Sequence, residues 1–270
     1  MVESQPSKLL VEGSIPSVRS NSRQEANMGE SKRKAKQTKP RQFNKISLTD
    51  RPDIPVVGGK LEPELLAAVK AEVLRQRDAN PVPFNHGLAG MIKEEYHFNP
   101  QAVPGLIGYI EEMFETYGRH FGLYQDKISC LGHLWANFQK KHEFNPIHNH
   151  TGAVSFTLWV QIPYDLAAEQ AMFPQGTVNV TSNFAFVYSG TTEDIVTFNF
   201  PVQKDWEGMI VMWPSWLRHM VNPFYTSDDY RISLAGNIYV LGENYKCNPA
   251  DDPDEIIRQT MAASQKPTDA

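Results

Sequence analysis

Two imidazoles set two residues apart, His148 and His150 in the run Asn145-Pro146-Ile147-His148-Asn149-His150-Thr151-Gly152, have the spacing that projects both from one face of an extended segment. That is half of a metal site. A third candidate ligand, His219, closes the run Trp213-Pro214-Ser215-Trp216-Leu217-Arg218-His219. Imidazole nitrogen suits iron, copper, zinc and nickel, and about three convergent ligands hold a mononuclear ion while leaving positions for substrate and dioxygen. A lone histidine is ordinarily a surface or core residue, and His86, His97, His120, His133 and His142 have no such context. The His148/His150 pair joined to a distal histidine after Gly208-Met209-Ile210-Val211-Met212-Trp213-Pro214 is far more specific than either half.

Arg231 lies beyond His219 on a segment whose alternate positions are Arg231, Ser233, Ala235 and Asn237. A guanidinium fork with a hydroxyl two residues on, both facing inward, suits a ligand carboxylate: the arginine offers a bidentate, charge-assisted pair and the serine one further donor. The competing assignment is a structural salt bridge with one of the acids of the chain. The histidines tip the balance toward anchoring a dicarboxylic cosubstrate, and the four elements together suggest mononuclear iron chemistry.

Elements that could position these residues are legible around them. Pro63 to Leu74 places Leu65, Leu66, Val69 and Val73 on one helical face, and Val103 to Phe121 repeats Leu106, Ile107, Ile110, Met113, Phe114 and Tyr117 at helical spacing. Both helices are expected to buttress a sheet. From Ile128 the pattern changes to short segments rich in aromatic and β-branched residues: Leu134 to Gln139, Ala153 to Ile162, Asn183 to Tyr188, Ile195 to Phe200, Met209 to Trp213 and Tyr230 to Val240. Strands separated by Gly, Pro, Asn and Asp turns indicate a mostly β sandwich or barrel with N-terminal helices. In Ala153 to Ile162 the set Val154/Phe156/Leu158/Val160/Ile162 and the set Ser155/Thr157/Trp159/Gln161 are each coherent, so one face can pack in a core and the other line a cavity.

The expected organisation is a disordered basic tail (1–45), an extended lead-in closed by Gly58-Gly59 followed by the helices (46–127), a β core (128–245) and a C-terminal tail (246–270). Residues 1–45 carry a formal charge of +6, leaving −11 on residues 46–270 against −5 for the whole chain. Lys32-Arg33-Lys34-Ala35-Lys36 could touch nucleic acid or another anionic surface. The low apolar content around it favours a solvated extension. Cys130 and Cys247 are too few and too far apart for a disulfide framework or a zinc–thiolate site. No run reaches the ~18 apolar residues of a membrane span, so a soluble, cytoplasmic protein with a small-molecule or peptidyl substrate and no membrane partner is expected.

From about Leu134 to Val240 the chain resembles the iron(II)- and 2-oxoglutarate-dependent oxygenases, in particular a branch found in phage and marine bacterial sequences. The motifs that carry the resemblance are His148-Asn149-His150-Thr151-Gly152-Ala153-Val154-Ser155, Glu207 to His219, and Arg231-Ile232-Ser233-Leu234-Ala235-Gly236-Asn237. It implies a double-stranded β-helix, the cupin-like jelly roll. It further implies iron(II) on His148 and His219, and the distal carboxylate of 2-oxoglutarate on Arg231 and Ser233. His150 falls where most such enzymes carry Asp or Glu and is the third candidate ligand; three neutral imidazoles give the ion one less negative charge. Trp159, Trp213, Trp216, Phe184 and Phe186 could wall the cavity.

The implied activity is a hydroxylase that couples oxidative decarboxylation of 2-oxoglutarate to substrate oxidation. Two alternatives make different predictions. A three-histidine cupin-type dioxygenase consumes oxygen without forming succinate, and a non-catalytic metal-binding jelly-roll module consumes none.

Overall fold

A computed structural model describes residues 40–241, apart from 80, 86, 87, 126, 176, 177 and 193. Two antiparallel sheets face each other, and two helices cover the outside of the larger one. In chain order the elements are β1 (Asn44–Lys45), β2 (Val57–Lys60), α1 (Pro63–Ala79), β3 (Glu94–Phe98), α2 (Leu106–Phe121), β4 (Ile128–Gln139), β5 (Asn145–His148), β6 (Val154–Gln161), α3 (Leu166–Ala171), β7 (Phe184–Ser189), β8 (Ile195–Phe200), β9 (Met209–Pro214), β10 (Arg218–Val221) and β11 (Arg231–Leu241). The large sheet runs β1-β2-β9-β6-β11-β4-β3 and the small one β5-β10-β7-β8. The non-sequential strand order and two facing sheets are those of a jelly roll.

The helices form where the apolar spacing predicts. Pro63 at the first position of α1 loses no hydrogen bond there, and Glu64 and Arg77 complement the helix dipole at its two ends. Gly122 closes α2 in the left-handed conformation at φ 67°, its N–H returning to the carbonyl of Gly118. Val69 and Val73 of α1, with Leu106, Ile110, Met113 and Tyr117 of α2, pack on Leu134, Ala136, Phe138, Ile232 and Leu234 of the large sheet.

Strand alternation puts the remaining side chains of those same strands between the sheets. Gln139 pairs with Arg231, Asn137 with Ser233 and Trp135 with Ala235 across β4 and β11. β6 sends Val154, Phe156, Leu158 and Val160 to the helix-side core, as expected from its alternation. Trp159 joins Trp213, Phe184, Phe186 and Phe200 in a second core between the sheets. The large sheet therefore has an apolar outer face sealed by helices and an inner face that becomes polar toward β4 and β11.

Three expectations change. Gly58 and Gly59 lie within β2, paired with Val211 and Ile210, and do not close a turn; a Cβ on Gly59 would meet Phe43 at 2.7 Å, so the close packing of Phe43 requires a glycine there. Phe43 is buried and Asn44–Lys45 form β1, so the tail ends earlier than its composition indicated. Only His148 of the histidine pair stands on a strand, because β5 ends there and His150 lies just beyond. The basic run at Lys32 to Lys36, Cys247 and residues 246–270 lie outside the described residues. No helix among the described residues is long and apolar enough to cross a membrane.

Candidate metal centre

Antiparallel pairing of β5 with β10 sets His148 directly opposite His219. His150 joins them because its backbone N–H donates to the carbonyl of Ser215 at 3.0 Å, tying the segment after β5 to the turn before β10. That turn is itself anchored: Ser215 N–H donates to the Ala153 carbonyl at 3.1 Å, the Ser215 and Ser155 hydroxyls lie 2.8 Å apart, and Ser155 Oγ donates to Asn237 Oδ1 at 2.8 Å. Ser155, Ser215 and Asn237 are buried and hold the frame of the site without facing a ligand.

The three imidazoles converge. Each offers a ring nitrogen, and these atoms lie within 4.8 Å of one another. His150 Nε2 and His219 Nε2 are 3.2 Å apart. Two nitrogens bound to one ion at ~2.1 Å sit roughly 3.0 Å apart at a right angle and ~3.4 Å apart at a tetrahedral one, so this pair suits a shared ion. His148 Nδ1 donates to the Pro146 carbonyl at 2.7 Å and His219 Nδ1 to that of Leu217 at 3.3 Å. Both bonds fix the tautomer that leaves Nε2 free to ligate.

Burial keeps these rings neutral, as a metal ligand must be. It lowers His148, opposed by the Pro146 carbonyl. It pushes His150 down to about 3, with His148 adding to the shift. His219, only 3% exposed, falls well below the ordinary imidazole range, first from burial and then from the two neighbouring histidines. Trp135 packs against His150 with ring centroids 5.5 Å apart, and Trp213 and Phe184 against His219 at 5.0 and 5.6 Å.

Arg231 and Ser233 open onto the same cavity as the three histidines, together with Asn137, Gln139 and Thr157. Arg231 is 3% exposed, yet among the described residues none of its hydrogen-bond partners is an acid. Nε and Nη2 both donate to Gln139 Oε1 at 3.0 and 2.7 Å, Nη1 to Tyr164 Oη at 3.0 Å and the Ser182 carbonyl at 2.6 Å, and Nη2 also to the Asn222 carbonyl at 2.7 Å. The competing structural salt bridge is not what the geometry shows; the charge is held by neutral oxygens. Ser233 Oγ accepts from Asn137 Nδ2 at 3.0 Å, which leaves its own proton available to a ligand.

Of the expected wall residues, Trp159, Trp213 and Phe184 line the cavity, Phe186 lies in the core behind them, and Trp216 is exposed. Trp135, Asn137 and Gln139 were missed as cavity residues. Their signal was present in the alternation of Leu134 to Gln139, but which face looks inward is fixed only by the helices on the other side.

Glu95, on the inner face beside Asn137, is a second polar group beneath this surface. It is 2% exposed; Asn85 Nδ2 donates to its Oε2 at 3.0 Å, and Oε1 has no partner among the described residues. Burial raises its pKa to about 7, with Glu143 adding and Asn85 opposing. A carboxyl raised from about 4.5 in this way stabilises the fold while protonated, and that contribution is lost as pH rises through about 7. Glu95→Gln, which also supplies a donor at the unpaired position, is expected to match the parent at pH 4 and to exceed it by about 2–3 kcal/mol at pH 8. Denaturant melts of metal-free protein at both pH values check this.

A facing pair of antiparallel sheets thus places three imidazoles and a buried arginine with no acid partner among the described residues around one cavity, a set of groups able to hold a metal ion and an anion. Residues 133–237 match a protein family described as "Putative 2OG-Fe(II) oxygenase", a stretch that contains all three histidines, Arg231 and Ser233. That segment is similar to the iron(II)- and 2-oxoglutarate-dependent oxygenases, a class of oxidoreductases whose cofactors are named in that description. Among solved structures the chain is similar to a prolyl-4-hydroxylase from Pseudomonas putida, with TM-score 0.49, 14% identity, and 72% of this chain and 96% of the other covered. It is also similar to a prolyl hydroxylase from Trichoplax adhaerens, with TM-score 0.47, 9% identity, and 80% and 90% covered. A 2OG-Fe(II) oxygenase family oxidoreductase from Burkholderia pseudomallei gives TM-score 0.44 at 15% identity, with 68% and 84% covered. No curated protein matches the chain.

Proposed function

We propose that the chain is a 2-oxoglutarate-dependent hydroxylase in which His148, His150 and His219 hold iron(II), and Arg231 with Ser233 receives the far carboxylate of 2-oxoglutarate. The observation that carries this reading is the sharing of one cavity by three convergent neutral imidazoles and a buried guanidinium with no acid partner among the described residues. When bound, iron and 2-oxoglutarate supply the activation of dioxygen, coupled to oxidative decarboxylation that yields succinate and carbon dioxide.

The chain's own residues do the rest. His148 and His219 present Nε2 because backbone carbonyls hold their Nδ1 protons. Trp135, Trp213 and Phe184 exclude water around them, which strengthens every charge interaction inside. Arg231 contributes a fixed positive charge that selects an anion, and the Ser233 hydroxyl donates to it. A small-molecule or peptidyl substrate would meet Leu88, Ala89 and Ile92, which also line the cavity.

Anaerobic titration with iron(II) and then 2-oxoglutarate tests the reading through the optical charge-transfer band of the chelate. A band in the parent supports it, and its absence from iron-loaded protein sinks it. Succinate release on admission of oxygen separates this activity from a three-histidine dioxygenase that uses no 2-oxoacid. His150→Asp, which restores one negative charge at the third ligand, is expected to keep iron affinity within about tenfold of the parent or to tighten it, and to shift the band. Loss of the band in His150→Asp would show that the imidazole itself is required.

A further inference from the structure

We infer that Gln139 is a neutral latch on Arg231: its amide oxygen occupies the edge of the guanidinium that a ligand carboxylate needs, and it swings out when the ligand binds. The inference rests on the 2-oxoglutarate reading of this cavity and deepens it.

The geometry separates Gln139 from the other partners of Arg231. The Nε/Nη2 edge is one of the two on a guanidinium that form a parallel pair of bonds with two carboxylate oxygens. Here both of its N–H groups converge on a single atom, Gln139 Oε1, at 3.0 and 2.7 Å. The remaining donors go to the backbone carbonyls of Ser182 and Asn222, which the fold fixes, and to Tyr164 Oη. Gln139 is thus the partner that combines a rotatable side chain, a place on the cavity wall and both donors of the fork. Its other amide atom, Nε2, donates to the Glu143 carbonyl at 2.5 Å, in the turn just after β4, so an alternative rotamer disturbs no sheet hydrogen bond.

The cavity opens beside Gln139, Asn137, Ser233 and the three histidines, so a ligand entering it meets the Gln139 amide on Arg231. A carboxylate that takes the Nε/Nη2 edge must displace Gln139 Oε1 from it. A carboxylate that displaces Gln139 replaces one shared neutral acceptor with two charged ones and supplies the counter-charge that Arg231 lacks. An amide is the functional choice for such a latch: it satisfies the donors in the empty site without neutralising the cation. A glutamate in its place would neutralise Arg231 permanently.

Two variants test this in the full chain loaded with manganese(II) in place of iron, with 2-oxoglutarate affinity read by calorimetry and stability by thermal melting. Gln139→Glu is expected to weaken 2-oxoglutarate binding at least a hundredfold while melting at or above the parent's temperature. Gln139→Ala, which leaves the fork open, is expected to bind 2-oxoglutarate as tightly as the parent or up to tenfold more tightly, and to melt lower. A residue that merely holds Arg231 in place gives the opposite result for alanine. Weaker binding by Gln139→Ala, or parental affinity in Gln139→Glu, overturns the latch, and if one variant does not fold the other decides alone. A parent that binds no 2-oxoglutarate overturns the cavity reading itself.

Discussion

His219→Ala is expected to weaken iron(II) binding by more than about 10³-fold and to remove the 2-oxoglutarate charge-transfer band altogether. Loss of a partner that only orients a metal ligand costs roughly 10–100-fold, and His219 is proposed as a ligand itself. It is also the most enclosed of the three, walled by Trp213 and Phe184, so water cannot readily take over its position. The fold should survive. Truncation leaves a cavity against aromatic rings and a freed Leu217 carbonyl, a loss on the order of 1–3 kcal/mol. Equilibrium iron titration with circular dichroism of the same samples separates the two effects, and a variant that keeps parental iron affinity would remove His219 from the ligand set.

The second large effect concerns stability. Arg231→Ala is expected to destabilise metal-free protein by about 3–5 kcal/mol, or a fall in Tm on the order of 10 °C for a domain of this size. Two terms oppose each other. Removing a buried charge relieves its desolvation cost, which favours the variant. Against this, Gln139 Oε1, Tyr164 Oη and the carbonyls of Ser182 and Asn222 all lose a charge-assisted donor. The second term wins because it falls on four acceptors at once. Arg231→Lys should recover less than half of the loss, since one ammonium cannot reach all four. Urea melts without metal or ligand measure this, and a change under 1 kcal/mol for alanine would show that the network contributes little.

Much of the fold was legible because burial on one face leaves a periodic trace. Ile195 to Phe200 is β8 as read, the expected strand from Met209 stops one residue short of β9, and the one from Tyr230 is offset by a residue from β11. The helix from Val103 begins at Leu106, after the turn at Gly105. β3 carries no signal of a buried strand in the charged and polar side chains of Glu94, Glu95 and His97, yet Glu94 pairs with Arg77 and Glu95 is buried. α3 is too short to show a period; Asp165 caps it, and its Glu169 is buried to receive the N–H groups of Tyr225 and Thr226.

The site was legible in its chemistry-bearing residues and not in its frame. His-x-His, the distal histidine and Arg-x-Ser announce themselves by type and spacing. The Ser155–Ser215–Asn237 support and the grip of Gln139 on Arg231 join residues far apart in sequence through ordinary side chains, and only strand register brings them together. The bidentate reading of Arg231 from sequence also lacked its present partner, since nothing in the spacing reveals that Gln139 fills the fork.

The pairing of β5 with β10 has a consequence for chain entropy. His150 and His219 are 69 residues apart in sequence, and the short β5 lies at the edge of the small sheet, attached through β10 alone. An ion held by both histidines closes that long loop covalently in all but name. A permanent link around a loop of this length would remove about 4 kcal/mol of unfolded-state entropy. Iron proposed in this position would therefore clasp an edge strand of the jelly roll as well as serve as a reagent, and the backbone amides of β5 should exchange with solvent far more slowly once it is bound.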